Sequence, residues 1–241
     1  MAVAIVTGAS RGLGRALALA LAERGWDVVA DGRHAEALAE LAAAHARIHA
    51  VAGDVTDPAH RRALVSAAWD LGGASLVVNN AGVLGSGAQG SEPLVTLAEQ
   101  DLEVLRRALE VNVLAPLGLT QEALSQLLAH EGALLNITSD AAVEAYPTWG
   151  AYGATKAALE QWSAVLQREE PSLRVWWVDP GEMNTAMYAA ADAQSAAQAP
   201  LPEEQAVPAL LALVTDRLPS GRYTAAGLAA EATEAGAGVT R

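Results

Sequence analysis

Short β-branched runs alternate along this chain with longer Ala/Leu-rich amphipathic segments, the pattern of β–α units repeated around a parallel sheet. Strands are predicted at residues 2–6, 27–31, 47–51, 75–79, 133–138 and 173–179, and helices near 12–24, 35–45, 58–71, 96–129, 149–169 and 203–216. Arg24-Gly25 ends the first helix with a glycine stop, and Asp57-Pro58 opens the third with an N-cap and a first-turn proline. Ser220-Gly221-Arg222-Tyr223-Thr224 reads as a short last strand. The fold class is therefore α/β, a doubly wound parallel sheet with helices on both faces. No linker-like shift in composition interrupts residues 1–241, so one domain is expected. The Ala/Gln-rich stretch 185–202 suggests a lid between strand and helix, and 226–241 a frayed tail.

Composition narrows the chemistry. A chain of 241 residues that is 52% hydrophobic can bury roughly 70–75% of its unfolded surface. Its formal net charge of −13 repels phosphate backbones, so nucleic acid is not an expected partner. With no cysteine, disulfides, thiolate metal sites and cysteine nucleophiles are excluded. The five histidines, His34, His45, His49, His60 and His130, form no H-E-x-x-H signature and are expected to be solvated or capping, with no metal bound. The first residues run straight into a strand, and charges interrupt every apolar stretch before it reaches the ~18 residues of a membrane span. A cytoplasmic protein without a membrane partner is expected.

Thr7-Gly8-Ala9-Ser10-Arg11-Gly12-Leu13-Gly14 links the first strand to the first helix. Glycines there let the backbone approach a pyrophosphate, and the helix start offers unpaired N–H groups. The same spacing also fits a merely tight strand–helix turn. Tyr152 and Lys156 are four apart on a predicted helix, hence on one face. An ammonium beside a phenol favours phenolate, making tyrosine a usable acid–base, although this pair is common on helix surfaces. Ser139 ends a strand thirteen residues before Tyr152, where its hydroxyl can bond the same carbonyl oxygen.

Taken together, these landmarks resemble the short-chain dehydrogenase/reductase family. Its T-G-x-x-x-G-x-G turn is followed in family order by Gly53-Asp54-Val55, Asn79-Asn80-Ala81-Gly82, Asn112, Ser139, Tyr152-x-x-x-Lys156 and Pro180-Gly181-x-x-x-Thr185, over roughly residues 3 to 216. The resemblance implies a Rossmann-like fold and a catalytic set of Asn112, Ser139, Tyr152 and Lys156, with Asn112 holding a water near the lysine. It implies cofactor contacts from Gly8, Ser10, Arg11, Gly12, Leu13 and Gly14, with Asp54 and Val55 at the adenine. Asn80, Ala81 and Gly82 would line the adenosine side, while Pro180, Gly181 and Thr185, with Tyr152 and Lys156, would meet the nicotinamide end.

The end of the second strand, Ala30-Asp31-Gly32-Arg33-His34, should read the adenosine ribose. Family members preferring NAD commonly place an acid where this chain has Gly32, and those preferring NADP often have a small residue followed by a base. Gly32-Arg33 together with Arg11 therefore implies NADP(H). In the alternative, Asp31 accepts the ribose hydroxyl and NAD(H) is used. The implied reaction is reversible hydride transfer between nicotinamide and a small carbonyl or alcohol. Tyr146, Trp149, Met183, Met187 and Tyr188 are expected to wall an apolar or aromatic substrate, with Glu144 and Glu182 nearby disfavouring anions.

Apolar residues beyond one stripe on helices 96–129 and 149–169, including Leu124, Leu127, Leu128, Leu159 and Trp162, fall where the family forms a homodimer interface. After residue 216 the family's glycine-rich ending is altered, which favours a dimer over a tetramer. Two rival classes are a regulatory sensor that binds NADP(H) without turnover and a dehydratase or epimerase. The Tyr152–Lys156 pair argues against the first, and the absence of a large C-terminal substrate domain against the second.

Overall fold

Alternate residues of a strand face opposite sides of a sheet, and here both sides are apolar. The computed structural model describes residues 2–85 and 94–230. Among these, seven parallel strands stand in the order β3-β2-β1-β4-β5-β6-β7: β1 (Val3–Val6), β2 (Asp27–Gly32), β3 (Ile48–Ala52), β4 (Leu76–Asn79), β5 (Ala133–Ile137), β6 (Arg174–Asp179) and β7 (Gly221–Thr224). Ala4, Val6, Val28, Ala30, Val78 and Trp176 face one layer, formed by α1 (Gly12–Glu23), α2 (Ala35–Ala44) and α9 (Ala206–Asp216). Val3, Ile5, Val29, Val77, Leu134 and Val175 face the other, formed by α3 (Pro58–Asp70), α5 (Ala115–Ala129) and α6 (Gly150–Glu169). The doubly wound sheet read from the sequence is thus the observed fold, and its strand limits agree with the predicted ones to within a residue.

The long helix expected over 96–129 is not continuous. α4 (Leu102–Leu109) starts at the Asp101 cap, and Glu110–Leu114 forms a π turn before α5, with the Ala115 N–H bonded five residues back to the Glu110 carbonyl. A widened turn leaves the apolar periodicity almost intact, so it is invisible to a pattern search, and such turns gather at functional sites. The 185–202 stretch contains two short helices, α7 (Ala186–Ala191) and α8 (Ala193–Gln198), capped by Thr185 and Asp192. The expected tail begins as helix over 225–230, with Ala225 and Leu228 buried in the core, while 231–241 lies outside the described residues. No helix among the described residues is long and apolar enough to cross a membrane.

β1 stands between β2 and β4, so the chain winds away in opposite directions from their carboxyl ends and leaves a crevice there. Thr7 fastens the two sides. Its N–H and hydroxyl both donate to the Val78 carbonyl, and its Oγ1 accepts from the N–H groups of Asn80 and Ala81, each at 3.0 Å.

Candidate active site

The glycine turn is shaped by close approach. Gly8 and Gly12 have φ of 66° and 55°, conformations open to glycine without strain. A Cβ on Gly8 would lie 2.9 Å from the Ala81 Cα, and one on Gly14 would lie 2.4 Å from Asn80 Nδ2 and 2.5 Å from the Gly8 oxygen. The Asn80 amide donates to the Thr7 carbonyl at 2.8 Å, pinning the turn onto the exit of β4. Arg11, at the N-cap position of α1, gives the helix start no side-chain acceptor. The first-turn N–H groups are therefore available to an anion at the cavity wall that Gly8, Ser10, Arg11, Gly12 and Leu13 form. Gly14 does not line that wall; it packs behind it.

The cavity has a volume of about 650 Å³ and runs from this turn along the carboxyl ends of the strands. At one end lie Asp31, Gly32, Arg33, Asp54, Val55 and Arg107. The Gly32 position would place a Cβ 3.1 Å from that of Ser10, so a larger side chain there requires Ser10 to shift. Arg11 and Arg33 are exposed, and neither guanidinium is hydrogen-bonded or ion-paired among the described residues. Asp31 is not exposed to compete with them: at 2% exposure, its Oδ1 lies 2.6 Å from His60 Nε2 and its Oδ2 accepts from the Gly8 N–H at 3.4 Å. His60 is accordingly neither solvated nor a cap. It is buried and held against Asp31, whose hydrogen bond raises the imidazole pKa above its ordinary value despite burial. His45 and His49, though four apart, straddle the turn between α2 and β3 and share no helix face; His49 pairs with Asp27.

Asp54 lines the cavity, and its carboxylate is already engaged. It accepts from the Thr56 N–H and hydroxyl and from Arg107 at 2.7 Å. Burial alone would raise its pKa; these hydrogen bonds outweigh it and hold the value at about 2. Arg107 had no sequence signal beyond its place on an amphipathic helix.

Ser139, Tyr152 and Lys156 line the cavity as well, as do Pro180, Gly181 and Thr185, with Thr185 close to the glycine turn, where a Cβ on Gly12 would lie 3.5 Å from its Cγ2. Lys156 Nζ donates to the Ile137 carbonyl at 2.7 Å and lies 5.5 Å from the centre of the Tyr152 ring. Trp149 meets that ring edge-on at 5.7 Å. The expected downward pull of the lysine on the phenol is not what governs here. Burial, reinforced by Asp179 and Asp140, raises the Tyr152 pKa, and a hydrogen bond with Ser139 opposes this weakly. Burial likewise pushes Lys156 down to about 8. A side chain 4% exposed beside another 8% exposed is governed first by lost hydration.

Asn112 lies behind the cavity wall, not on it, inside the π turn. Its Oδ1 accepts from the Val83 N–H at 2.9 Å, and its Nδ2 donates to the Val83 carbonyl at 2.8 Å and to Thr155 Oγ1 at 2.9 Å. It thereby ties the exit of β4 to the helix that carries Tyr152 and Lys156. Tyr146, Trp149, Met183, Met187 and Tyr188 all line the cavity, as does Glu182. Glu144 instead lines a separate depression with Leu97 and Val143. Ser139 Oγ donates to Asp140, whose other oxygen accepts from the Tyr146 hydroxyl.

The short-chain dehydrogenase family model matches residues 2–196. A serine 3-dehydrogenase of Agrobacterium fabrum is 33% identical over 185 residues, covering 75% of this chain and 72% of that protein. The structure of a short-chain dehydrogenase from Shigella flexneri complexed with NADP matches with a TM-score of 0.84 and 29% identity, covering 93% of this chain and 96% of that one. A short-chain dehydrogenase from Escherichia coli complexed with NADPH matches with a TM-score of 0.83 and 29% identity, covering 93% and 96%. The chain belongs to the short-chain dehydrogenase/reductase family and is an oxidoreductase. The cradle at Gly8, the uncapped start of α1 and the long cavity fit the nicotinamide dinucleotide that such chemistry requires.

Proposed function

We propose that this chain is an NADP(H)-dependent oxidoreductase that interconverts small apolar or aromatic carbonyl compounds and alcohols, with Tyr152 as general acid–base. The observation that carries this reading is one cavity lined both by the glycine turn with Arg11 and Arg33 and by Ser139, Tyr152 and Lys156. Two unpaired guanidiniums beside a buried, paired Asp31 suit a 2′-phosphate better than a 2′-hydroxyl. When bound, the reduced nicotinamide supplies a hydride to the carbonyl carbon.

The protein's residues manage the oxygen. Tyr152, whose pKa is raised, holds its proton at neutral pH and donates it to the oxygen as the alcohol forms; in oxidation it takes that proton back. The Ser139 hydroxyl orients the same oxygen, and Lys156 holds a positive charge beside the ring. Asn112 acts through others, fixing Val83 and Thr155 rather than touching a reactant. Aromatic and thioether side chains from Tyr146, Trp149 and Met187 receive the rest of the substrate.

The whole chain acts as one domain, and two copies associate. Of the residues first singled out for that contact, Leu127 and Leu159 are fully buried, and Leu124, Leu128 and Trp162 are partly buried against the protein's own core. The apolar side chains that α4, the π turn and α6 leave exposed are Leu102, Leu109, Leu114 and Val165, and these are the proposed dimer contacts.

Loss of reduced-nicotinamide absorbance with a panel of ketones and aldehydes tests the reading. Tyr152→Phe should reduce turnover by about 10²–10⁴ while NADPH affinity stays within about twofold. Cofactor binding without any turnover would favour a sensor, and near-normal turnover in the variant would remove Tyr152 from the chemistry.

A further inference from the structure

Beside the glycine turn lies a buried histidine–aspartate pair that the proton-transfer chemistry does not use. His60, on the first turn of α3, points back beneath β2, with its Nε2 2.6 Å from Asp31 Oδ1 and side-chain exposures of 8% and 2%. Its seat is built for it: a Cβ on Gly53 would lie 2.2 Å from His60 Nδ1. The other oxygen of Asp31 accepts from the Gly8 N–H of the phosphate turn, and Asp31 lines the cavity beside Arg33. We propose that His60 is a specificity-determining residue: its proton cancels the charge of Asp31, so that the adenosine end admits a 2′-phosphate.

This inference rests on the NADP(H) reading above. A carboxylate at the end of β2, facing the same recess as Arg33, would repel a 2′-phosphate dianion and leave a 2′-hydroxyl untouched. The imidazolium removes that repulsion without removing the acceptor that fixes the Gly8 N–H. Asp57 at the N-cap of α3 and Asp54 in the β3–α3 connection also act on His60 and favour its protonated form, while Arg107 from α4 offsets Asp54. As pH rises through the imidazole's titration, Asp31 is left uncompensated and only the phosphorylated cofactor suffers. The quantity that reports this is therefore the ratio of the NADPH to the NADH dissociation constant. Pyrophosphate contacts, Lys156 and general loosening of the fold are common to both cofactors and cancel in it.

The test is titration of the intact protein with NADPH and with NADH by nucleotide fluorescence from pH 7 to pH 10, where the 2′-phosphate (pKa about 6) is already a dianion. In the wild type the ratio should rise on the order of a hundredfold across this range, the effect of one unit charge on a dianion at about 10 Å and an effective dielectric near 20. His60→Gln should show the raised ratio already at pH 7 with no further climb. Asp31→Asn should keep a low ratio throughout, and the double variant should match Asp31→Asn. Equal changes in both dissociation constants for His60→Gln, or a pH-independent ratio in the wild type, would overturn the proposal. Should His60→Gln fail to fold, the wild-type and Asp31→Asn profiles decide alone. A wild type that prefers NADH at every pH refutes the NADP(H) reading, whereas the slope of the ratio still judges His60.

Discussion

Replacing Lys156 with Met should make the protein more stable and inactive at once. The lysine is 4% exposed, and burial moves its pKa from 10.5 to about 8. Below pH 8 the amine is protonated in both folded and unfolded chains, and the folded state bears the full penalty. Between pH 8 and 10.5 the folded chain releases its proton while the unfolded chain keeps it, so stability rises with pH; above 10.5 the penalty is gone. A shift of 2.5 pK units corresponds to about 3.4 kcal/mol at pH 7. Methionine has similar length and no charge, but it forfeits the 2.7 Å hydrogen bond to the Ile137 carbonyl, about 1–3 kcal/mol. The net gain at pH 7 should be about 0.4–2.4 kcal/mol, or roughly 1–10 °C in midpoint for a chain of this size. Thermal or urea unfolding of both proteins between pH 7 and 10.5 measures the difference, which should shrink as pH rises. Tyr152 keeps its proton longer in the folded state and lowers stability above about pH 10 in both proteins, so it drops out of the comparison. A Lys156→Met protein that is no more stable at pH 7, with a gap independent of pH, would refute burial as the dominant influence on this amine.

Arg33→Ala should weaken NADPH binding about tenfold or more, the loss of one charge-assisted hydrogen bond, and leave NADH binding nearly unchanged; calorimetric titration with each cofactor checks this. Gly14→Ala should destabilise by about 1–3 kcal/mol despite alanine's better helix propensity, because the new methyl meets Asn80 Nδ2 and the Gly8 carbonyl oxygen; urea unfolding reads the outcome, and unchanged stability would contradict the close approach. Leu114→Glu, at a side chain 50% exposed, should shift the protein toward monomer in light scattering with little change in monomer folding, and an unaltered mass would move the interface elsewhere.

Strand positions were legible because both faces of the sheet are covered. A parallel strand buried on two sides reads as an unbroken apolar run, and each is followed by its turn chemistry. The glycine turn, Ser139 and the Tyr152–Lys156 spacing were legible for a related reason, since they are local patterns at strand exits or on one helix face. What escaped the sequence depends on distance. His60 reaches Asp31 across 29 positions and Arg107 reaches Asp54 across 53, and neither histidine nor arginine carries a local mark of its partner. The leucines singled out on α5 and α6 were hard to place because those helices are apolar on more than one side: Leu127 and Leu159 are fully buried, and Leu124 and Leu128 partly so. Which side meets the protein's own core is set by the sheet, not by the periodicity of the helix. The direction of the Tyr152 shift failed likewise, because a pairwise rule took account of the lysine and missed the burial.

That burial is built into the fold around Asn112. The π turn at Glu110–Leu114 brings Asn112 inward, where its amide binds both backbone polar groups of Val83 and the Thr155 hydroxyl. Thr155 in turn donates to the Tyr152 carbonyl at 2.8 Å, so the helix bearing the phenol and amine is fixed to the strand exit that walls the nucleotide cavity. A regular α-helix through 110–114 would rotate Asn112 with respect to the residues after it and break this three-way contact. The backbone at Gly82 also packs close: a Cβ there would already be in van der Waals contact with Asn112 Oδ1 at 3.4 Å and Lys156 Nζ at 3.8 Å. Close packing there removes water from the amine and the phenol together. The same exclusion that destabilises a charged Lys156 keeps Tyr152 protonated, so stability given up at this helix is the physical counterpart of the general acid proposed for the reaction.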